Sequence, residues 1–242
     1  MVKEVRKMFE AKMSADKDSR LEITLYDDIE GDSWWSVSET SAKYIKSILD
    51  ENPDVQNIDV YINSYGGEVK EGIAIYTLLK RSSAKITVYV DGFACSIASV
   101  IAMAGDKVIM SPTSLMMIHH AWTYTYGNAK ELRKMADDLD VIDKSSKQAY
   151  LLKTSGKITE EELNALLDAE SWLGAEDCIQ KGFADEISEF GAPDSKKTAE
   201  PDEGNAIENA KSNYEKFRQK CRKSSNKTLF QSLKNKLDKK GE

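Results

Sequence analysis

From residue 21 the chain alternates apolar and polar side chains, Leu21-Glu22-Ile23-Thr24-Leu25-Tyr26, a period of two that predicts a half-buried strand ending at the acidic pair Asp27-Asp28. The period then lengthens. Ala42, Ile45, Ile48 and Leu49 share one face of a helix that Thr40 or Ser41 can cap and that Asn52-Pro53 stops. Ile58-Asp59-Val60-Tyr61-Ile62-Asn63 predicts a second strand, Ser64 to Gly67 a glycine turn, and Ile73, Ile75, Tyr76 and Leu79 a helix over 69–81. The same order follows at once: a strand over Ile86-Thr87-Val88-Tyr89-Val90, a turn over Asp91 to Ala94, and an apolar helix over Ser96 to Ala104. Further strands are expected at Lys107 to Met110 and Leu115 to His119.

Short β-branched runs alternating with helices imply right-handed crossovers and a largely parallel sheet, an α/β fold. A long helix over Asn128 to Lys153 carries Leu132, Met135, Ala136, Leu139, Ile142 and Ala149 on one side and charges elsewhere, so it is expected to project or to pack between subunits. Thr159 with acids at 160–162 predicts a capped helix to about Asp168, ahead of Trp172-Leu173-Gly174.

Composition narrows the class. With 40% hydrophobic and 31% charged side chains over 242 residues, the chain can bury one sizeable core. Its cysteines, Cys95, Cys178 and Cys221, are far apart and form neither a disulfide framework nor a zinc ribbon, which fits a reducing compartment. No apolar run suits a leader or a membrane span, so a cytoplasmic protein is expected.

Charge divides the chain near residue 190. The net −7 splits into −12 for residues 1–190 and +5 for residues 191–242. The stretch Gly191 to Asn209 has the composition of a linker. Ile207 to Leu237 is basic, with Tyr214, Phe217, Leu229, Phe230, Leu233 and Leu237 at partly helical spacing, which allows either a solvated tail or a docking segment for an acidic partner or nucleic acid. The organisation expected is an N-terminal segment 1–20, a body 21–190, and a linker with a basic tail 191–242.

Candidate chemistry gathers at strand ends, where α/β folds collect their functional groups. The two histidines are adjacent, His119 and His120, and a strand should send one inward and one outward. Gly66-Gly67 enters a helix and can turn backbone N–H groups toward developing negative charge. Gly92-Phe93-Ala94-Cys95-Ser96-Ile97-Ala98-Ser99 sets a serine on a strand-to-helix corner, although the Gly-x-Ser-x-Gly spacing of a nucleophile elbow is missing. Ser99 and Cys95 are rival nucleophiles there, and Cys95 reads better as a small buried filler.

Taken together, Ile62-Asn63-Ser64-Tyr65-Gly66-Gly67, the Gly92 to Ser99 segment and Met117-Ile118-His119 resemble the Clp protease proteolytic subunit family. Trp172-Leu173-Gly174-Ala175-Glu176-Asp177 and Lys181-Gly182-Phe183-Ala184-Asp185 extend the resemblance, which covers about residue 21 to Ile187. It implies the ClpP/crotonase-like fold of repeated β-β-α units, and a serine endopeptidase working through an acyl-enzyme without metal or organic cofactor. It also implies Ser96 as nucleophile, His119 as general base, and the amides of Gly67 and Ile97 as oxyanion donors. For the third member the matching position holds Glu170 where the family has aspartate, with Asp168 as the alternative; Glu170 is preferred because the segment up to Trp172 aligns without a gap.

The resemblance further implies protein or peptide substrates and a homo-oligomeric ring, two stacked heptamers being one form, with the long helix supplying the ring-to-ring contact. Other departures are Tyr65 for the usual proline, His120 for the usual glutamine, and the basic tail. Trp34-Trp35 and Glu170-Ser171-Trp172 are similar to phage head maturation proteases of the same group, which puts capsid or scaffold proteins beside a Clp-type ATPase as expected partners. Two other readings stay open: an acyl-CoA enzyme of the crotonase type, and an inactive assembly or adaptor protein with this fold.

Overall fold

The computed structural model describes residues 12–13, 20–32, 38–189 and 207–223. Trp34-Trp35, most of the 1–20 segment, most of the expected linker and the tail beyond 223 lie outside them.

Two units divide the chain by contacts: residues 1–121 with 140–201, and residues 122–139 with 202–242. The first is an α/β unit. After the short strand β1 (Lys12–Met13), strands β2 (Arg20–Leu25), β3 (Asn57–Ser64), β4 (Lys85–Cys95) and β5 (Lys107–Met110) alternate with helices α1 (Ala42–Glu51), α2 (Val69–Arg81) and α3 (Ile97–Ala102). Then come β6 (Leu115–Ile118), α4 (Ala129–Thr154), α5 (Glu160–Asp168), β7 (Ser171–Gly174), α6 (Ala175–Lys181) and β8 (Glu186–Ile187). The sheet runs β1-β2-β3-β4-β5-β8, with β6 pairing both β4 and β7. The β2-β3, β3-β4, β4-β5, β4-β6 and β5-β8 pairs are parallel, whereas β1-β2 and β6-β7 are antiparallel.

Register explains the alternation seen in the sequence. Ile23 is level with Val60, and Val60 with Val88 and Val108, so one face of the sheet is apolar and buried. The other face carries Thr24, Tyr61 and Tyr89, the two tyrosines stacked with ring centroids 5.0 Å apart. Most parallel strands are covered on both faces and read as continuous apolar runs. These alternate, because α1, α2 and α3 cover a single core with Ile45, Ile48, Ile75, Leu79, Val100 and Ile101.

Helix ends follow local chemistry. Ser41 caps α1 by accepting the Tyr44 N–H at 3.2 Å, and Thr159 and Glu162 form a reciprocal capping box on α5.

Boundaries around the β4–α3 corner differ from expectation. The segment Asp91 to Ala94, expected as a turn, remains in β4: its first part pairs with β5 through Val90, its last with β6 through Phe93 to Cys95. A register shift between Ile62 and Ser64 takes up the extra residues, and Asn63 Oδ1 accepts the Phe93 N–H at 3.1 Å. Gly92 therefore serves close approach rather than turning, since a Cβ there would stand 2.5 Å from Asn63 Oδ1. The helix expected from Ser96 begins at Ile97, and the strand expected to His119 ends at Ile118.

In the second unit, residues 207–223 are helical, with Ala210, Tyr214 and Phe217 buried. The Arg218 guanidinium lies 5.4 Å from the Trp122 ring centroid, and that of Arg222 lies 5.7 Å from Tyr124.

Candidate active site

The corner between β4 and α3 holds Ser96 at φ 55 and ψ −127, outside the regions that residues with a Cβ ordinarily occupy. Such a corner turns its side chain outward while α3 starts immediately behind it, so the local geometry is that of a nucleophile elbow even though the glycine spacing is absent. Several ties hold it. The Ser96 N–H donates to Met117 O at 2.8 Å, Ser99 Oγ bonds Ser96 O at 2.5 Å, and Ser99 Oγ meets the Tyr150 hydroxyl at 2.6 Å. Ser99 is fully buried with both contacts made, so its hydroxyl serves the corner and does not face a substrate. Cys95 is equally buried, and burial pushes its thiol well above the ordinary range, as expected of a filler.

Chain topology brings the histidine to this corner. β6 runs beside the last residues of β4, with Met117 level with Cys95, so the residue two beyond Met117 emerges next to Ser96. His119 Nε2 lies 2.7 Å from Ser96 Oγ, and the His119 side chain is largely buried. Serine and imidazole stand within proton-transfer reach.

β7 approaches β6 from its other side. The antiparallel ladder pairs Leu115 with Gly174 and continues to Ile118 with Ser171, so His119 and Glu170 are the residues next beyond its last pair. Glu170 itself has φ 47, left-handed for a residue with a side chain, where the chain leaves α5 and enters β7. The alternative acid, Asp168, is directed elsewhere: its Oδ1 lies 3.0 Å from His120 Nε2.

The glycine turn closes the site from the side of β3. Gly66 O accepts the Ile29 N–H and Glu68 N–H donates to Ile29 O, both at 2.7 Å. Both glycines are required. A Cβ on Gly67 would stand 2.1 Å from Ile29 O, and one on Gly66 would stand 2.8 Å from Ser96 Cβ and 3.3 Å from Ile97 N. Gly66 thereby keeps open the space in front of the Ile97 amide.

Sequence reading missed Gly72, where a Cβ would stand 2.1 Å from Ile97 Cγ1. This helical glycine lets α2 and α3 meet and so fixes Ile97, and an isolated glycine inside a helical pattern was the available signal. The stack of Tyr65 on Phe93, with centroids 5.4 Å apart, and the edge contact of Phe93 with Trp172 at 6.3 Å also required coordinates.

Residues 16–190 match the family described as Clp protease. The chain belongs to the Clp protease family. It is 30% identical over 142 residues to the ATP-dependent Clp protease proteolytic subunit of Deinococcus radiodurans, covering 58% of this chain and 69% of that protein. The corresponding subunit of Streptococcus gordonii is 32% identical over 143 residues, with 57% and 72% covered. Subunit 1 of Salinibacter ruber is 28% identical over 152 residues, with 62% and 64% covered. This chain is thus a ClpP-like peptidase by family, with the α/β fold and mostly parallel sheet that its alternating pattern predicts. Among the described residues, no helix is long and apolar enough to cross a membrane.

Proposed function

We propose that the protein is a serine endopeptidase in which Ser96 is the nucleophile, His119 the general base, Glu170 the residue that orients the imidazole, and the amides of Gly67 and Ile97 the oxyanion donors. The observation that carries this reading is the 2.7 Å contact between Ser96 Oγ and His119 Nε2 on a strained corner. As Ser96 Oγ attacks the peptide carbonyl, its proton passes to His119 Nε2 and the carbonyl oxygen gains negative charge beside the two amides. Collapse breaks the C–N bond, and the proton moves from His119 to the leaving amine. His119 then takes a proton from water, whose oxygen attacks the ester and frees Ser96.

Treatment with a fluorophosphonate tests the assignment. The adduct is expected on Ser96, absent in Ser96→Ala and retained in Ser99→Ala; labelling at Ser99, or none, would overturn it. An acyl-CoA enzyme of the crotonase type would leave the serine–imidazole contact without a role. Binding of coenzyme A thioesters by an unlabelled protein would favour that reading.

The substrates would be extended polypeptides, and the active form a ring. Val141 and Leu152 on α4 are exposed at 65% and 61%, apolar surface that supports the helix as a subunit contact. A stable monomer at high concentration in a mass measurement would argue against the ring. The setting we infer is maturation of capsid or scaffold proteins, supported by Tyr65, His120 and the basic tail. Cleavage of such a protein without an ATPase is the expected result, and strict dependence on a Clp-type ATPase the contrary one.

A further inference from the structure

The proposed chemistry uses one of two adjacent histidines, and the second has a geometry of its own. His120 Nδ1 lies 2.8 Å from Asp143 Oδ2 on α4, and Nε2 lies 3.0 Å from Asp168 Oδ1 at the end of α5. The other oxygen of Asp143 accepts the Ala121 N–H at 2.7 Å, and the Asp143 side chain is 12% exposed against 75% for Asp168. An imidazole between two carboxylates thus joins α4, the residues just past His119, and the residues just before Glu170.

We propose that His120 is a positioning residue for the active site, a staple between Asp143 and Asp168 that fixes the two chain segments carrying His119 and Glu170. This inference rests on the serine peptidase reading for its kinetic consequence, though not for its structural one. The need for a staple follows from the ladder. The backbone pairs of β6 and β7 run to Ile118 and Ser171, and both chains leave the sheet at the next residue. His119 and Glu170 therefore stand beyond the last of those pairs. On one side the Asp143 carboxylate fastens His120 and Ala121 to a long helix; on the other the same imidazole fastens Asp168, two residues from Glu170. Asp143 is the buried, fixed end, and the exposed Asp168 reaches it through the ring. Misplacement of a catalytic pair by about 1 Å costs on the order of 100-fold in rate, so a tie of this kind would act on kcat.

Kinetics and hydrogen exchange on the full-length protein test the staple together. His120→Ala is expected to lower kcat about 10- to 100-fold with KM changed less than about twofold, and exposed Asp168→Asn to lower kcat about 3- to 10-fold. The double variant should be no slower than His120→Ala alone, because both remove the same link. His120→Gln, which keeps one donor, should fall between wild type and His120→Ala. In both single variants, amide exchange should rise in peptides covering 119–121 and 168–170 while the β2–β5 core is unchanged.

Multiplying effects in the double variant, or unchanged kcat in a folded His120→Ala, would overturn the proposal. Should wild type fail to label at Ser96, the peptidase reading fails instead. The exchange of 119–121 and 168–170 in Asp168→Asn then decides the staple, unchanged protection refuting it.

Discussion

Ser96 comes to the site on a backbone forced into an unusual conformation, whereas His119 follows the last residue of β6, a strand whose parallel pairing with β4 brings it beside Ser96. The corner is crowded and fixed by what is absent: side chains at Gly66, Gly67 and Gly72 would collide with Ser96, Ile29 and Ile97. The strand end is fixed by what is present, with Asp143 and His120 supplying ties where the ladder stops. Strain of order 1–3 kcal/mol at the serine is sustained because dense packing surrounds it, so Ser96 is the rigid half of the pair. The imidazole half depends on a few polar contacts and can be loosened by single substitutions.

The largest effect expected on this contrast is at the serine. Ser96→Ala should lower peptide hydrolysis by about 10⁴-fold or more while leaving the fold intact, checked by single-turnover assays and by a thermal midpoint close to wild type. On the opposite side, Glu170→Gln should lower kcat by about 10²- to 10⁴-fold with KM little changed, and Glu170→Asp should recover part of it. A Glu170→Gln variant with unaltered kcat would assign the orienting role elsewhere.

Gly67→Ala addresses the rigidity of the corner. Its Cβ would meet the Ile29 carbonyl oxygen at 2.1 Å from a residue held at φ 149, and backbone cannot swing aside as a side chain can. A loss of at least about 2 kcal/mol is expected, near 4–8 °C in thermal midpoint for a unit of this size. Ser99→Ala should be milder. It strips a buried hydroxyl from Ser96 O and from the Tyr150 hydroxyl, costing about 1–3 kcal/mol, while phosphonate labelling of Ser96 persists.

Much of this was legible in the sequence, for physical reasons that differ along the chain. The period-two strands and the helix over 69–81 were readable because one sheet face is apolar and a single layer of helices covers it. Asp91 to Ala94 was misread because Gly92 carries the same signal for a turn and for close approach to Asn63. Ser96 and His119 were singled out through motif order, and the choice between Glu170 and Asp168 was left to alignment, because cross-strand register is a tertiary property. Coordinates gave Asp168 a partner of its own, the imidazole of His120. The staple was illegible, since its three residues lie on α4, on α5 and in the loop after β6, separated along the sequence.

The smallest effect concerns the core behind the corner and appears at alkaline pH. Burial raises the thiols of Cys95 and Cys178 and the hydroxyl of Tyr150 well above their ordinary values, so the folded protein keeps all three neutral where the unfolded chain would ionise them. Above the unfolded thiol value, about 8.5, the unfolded state binds fewer protons than the folded one, and stability must fall as pH rises. Below it the three groups are neutral in both states and contribute no slope. The urea midpoint should therefore be insensitive to them between about pH 6 and 8 and decline from about pH 9 upward. Cys178→Ala should make that decline shallower without touching the site. Because Ser96 is braced through Ser99 and Tyr150, loss of labelling at high pH should track this unfolding and not precede it; labelling lost while the core remains folded would show that the corner is less rigid than its packing implies.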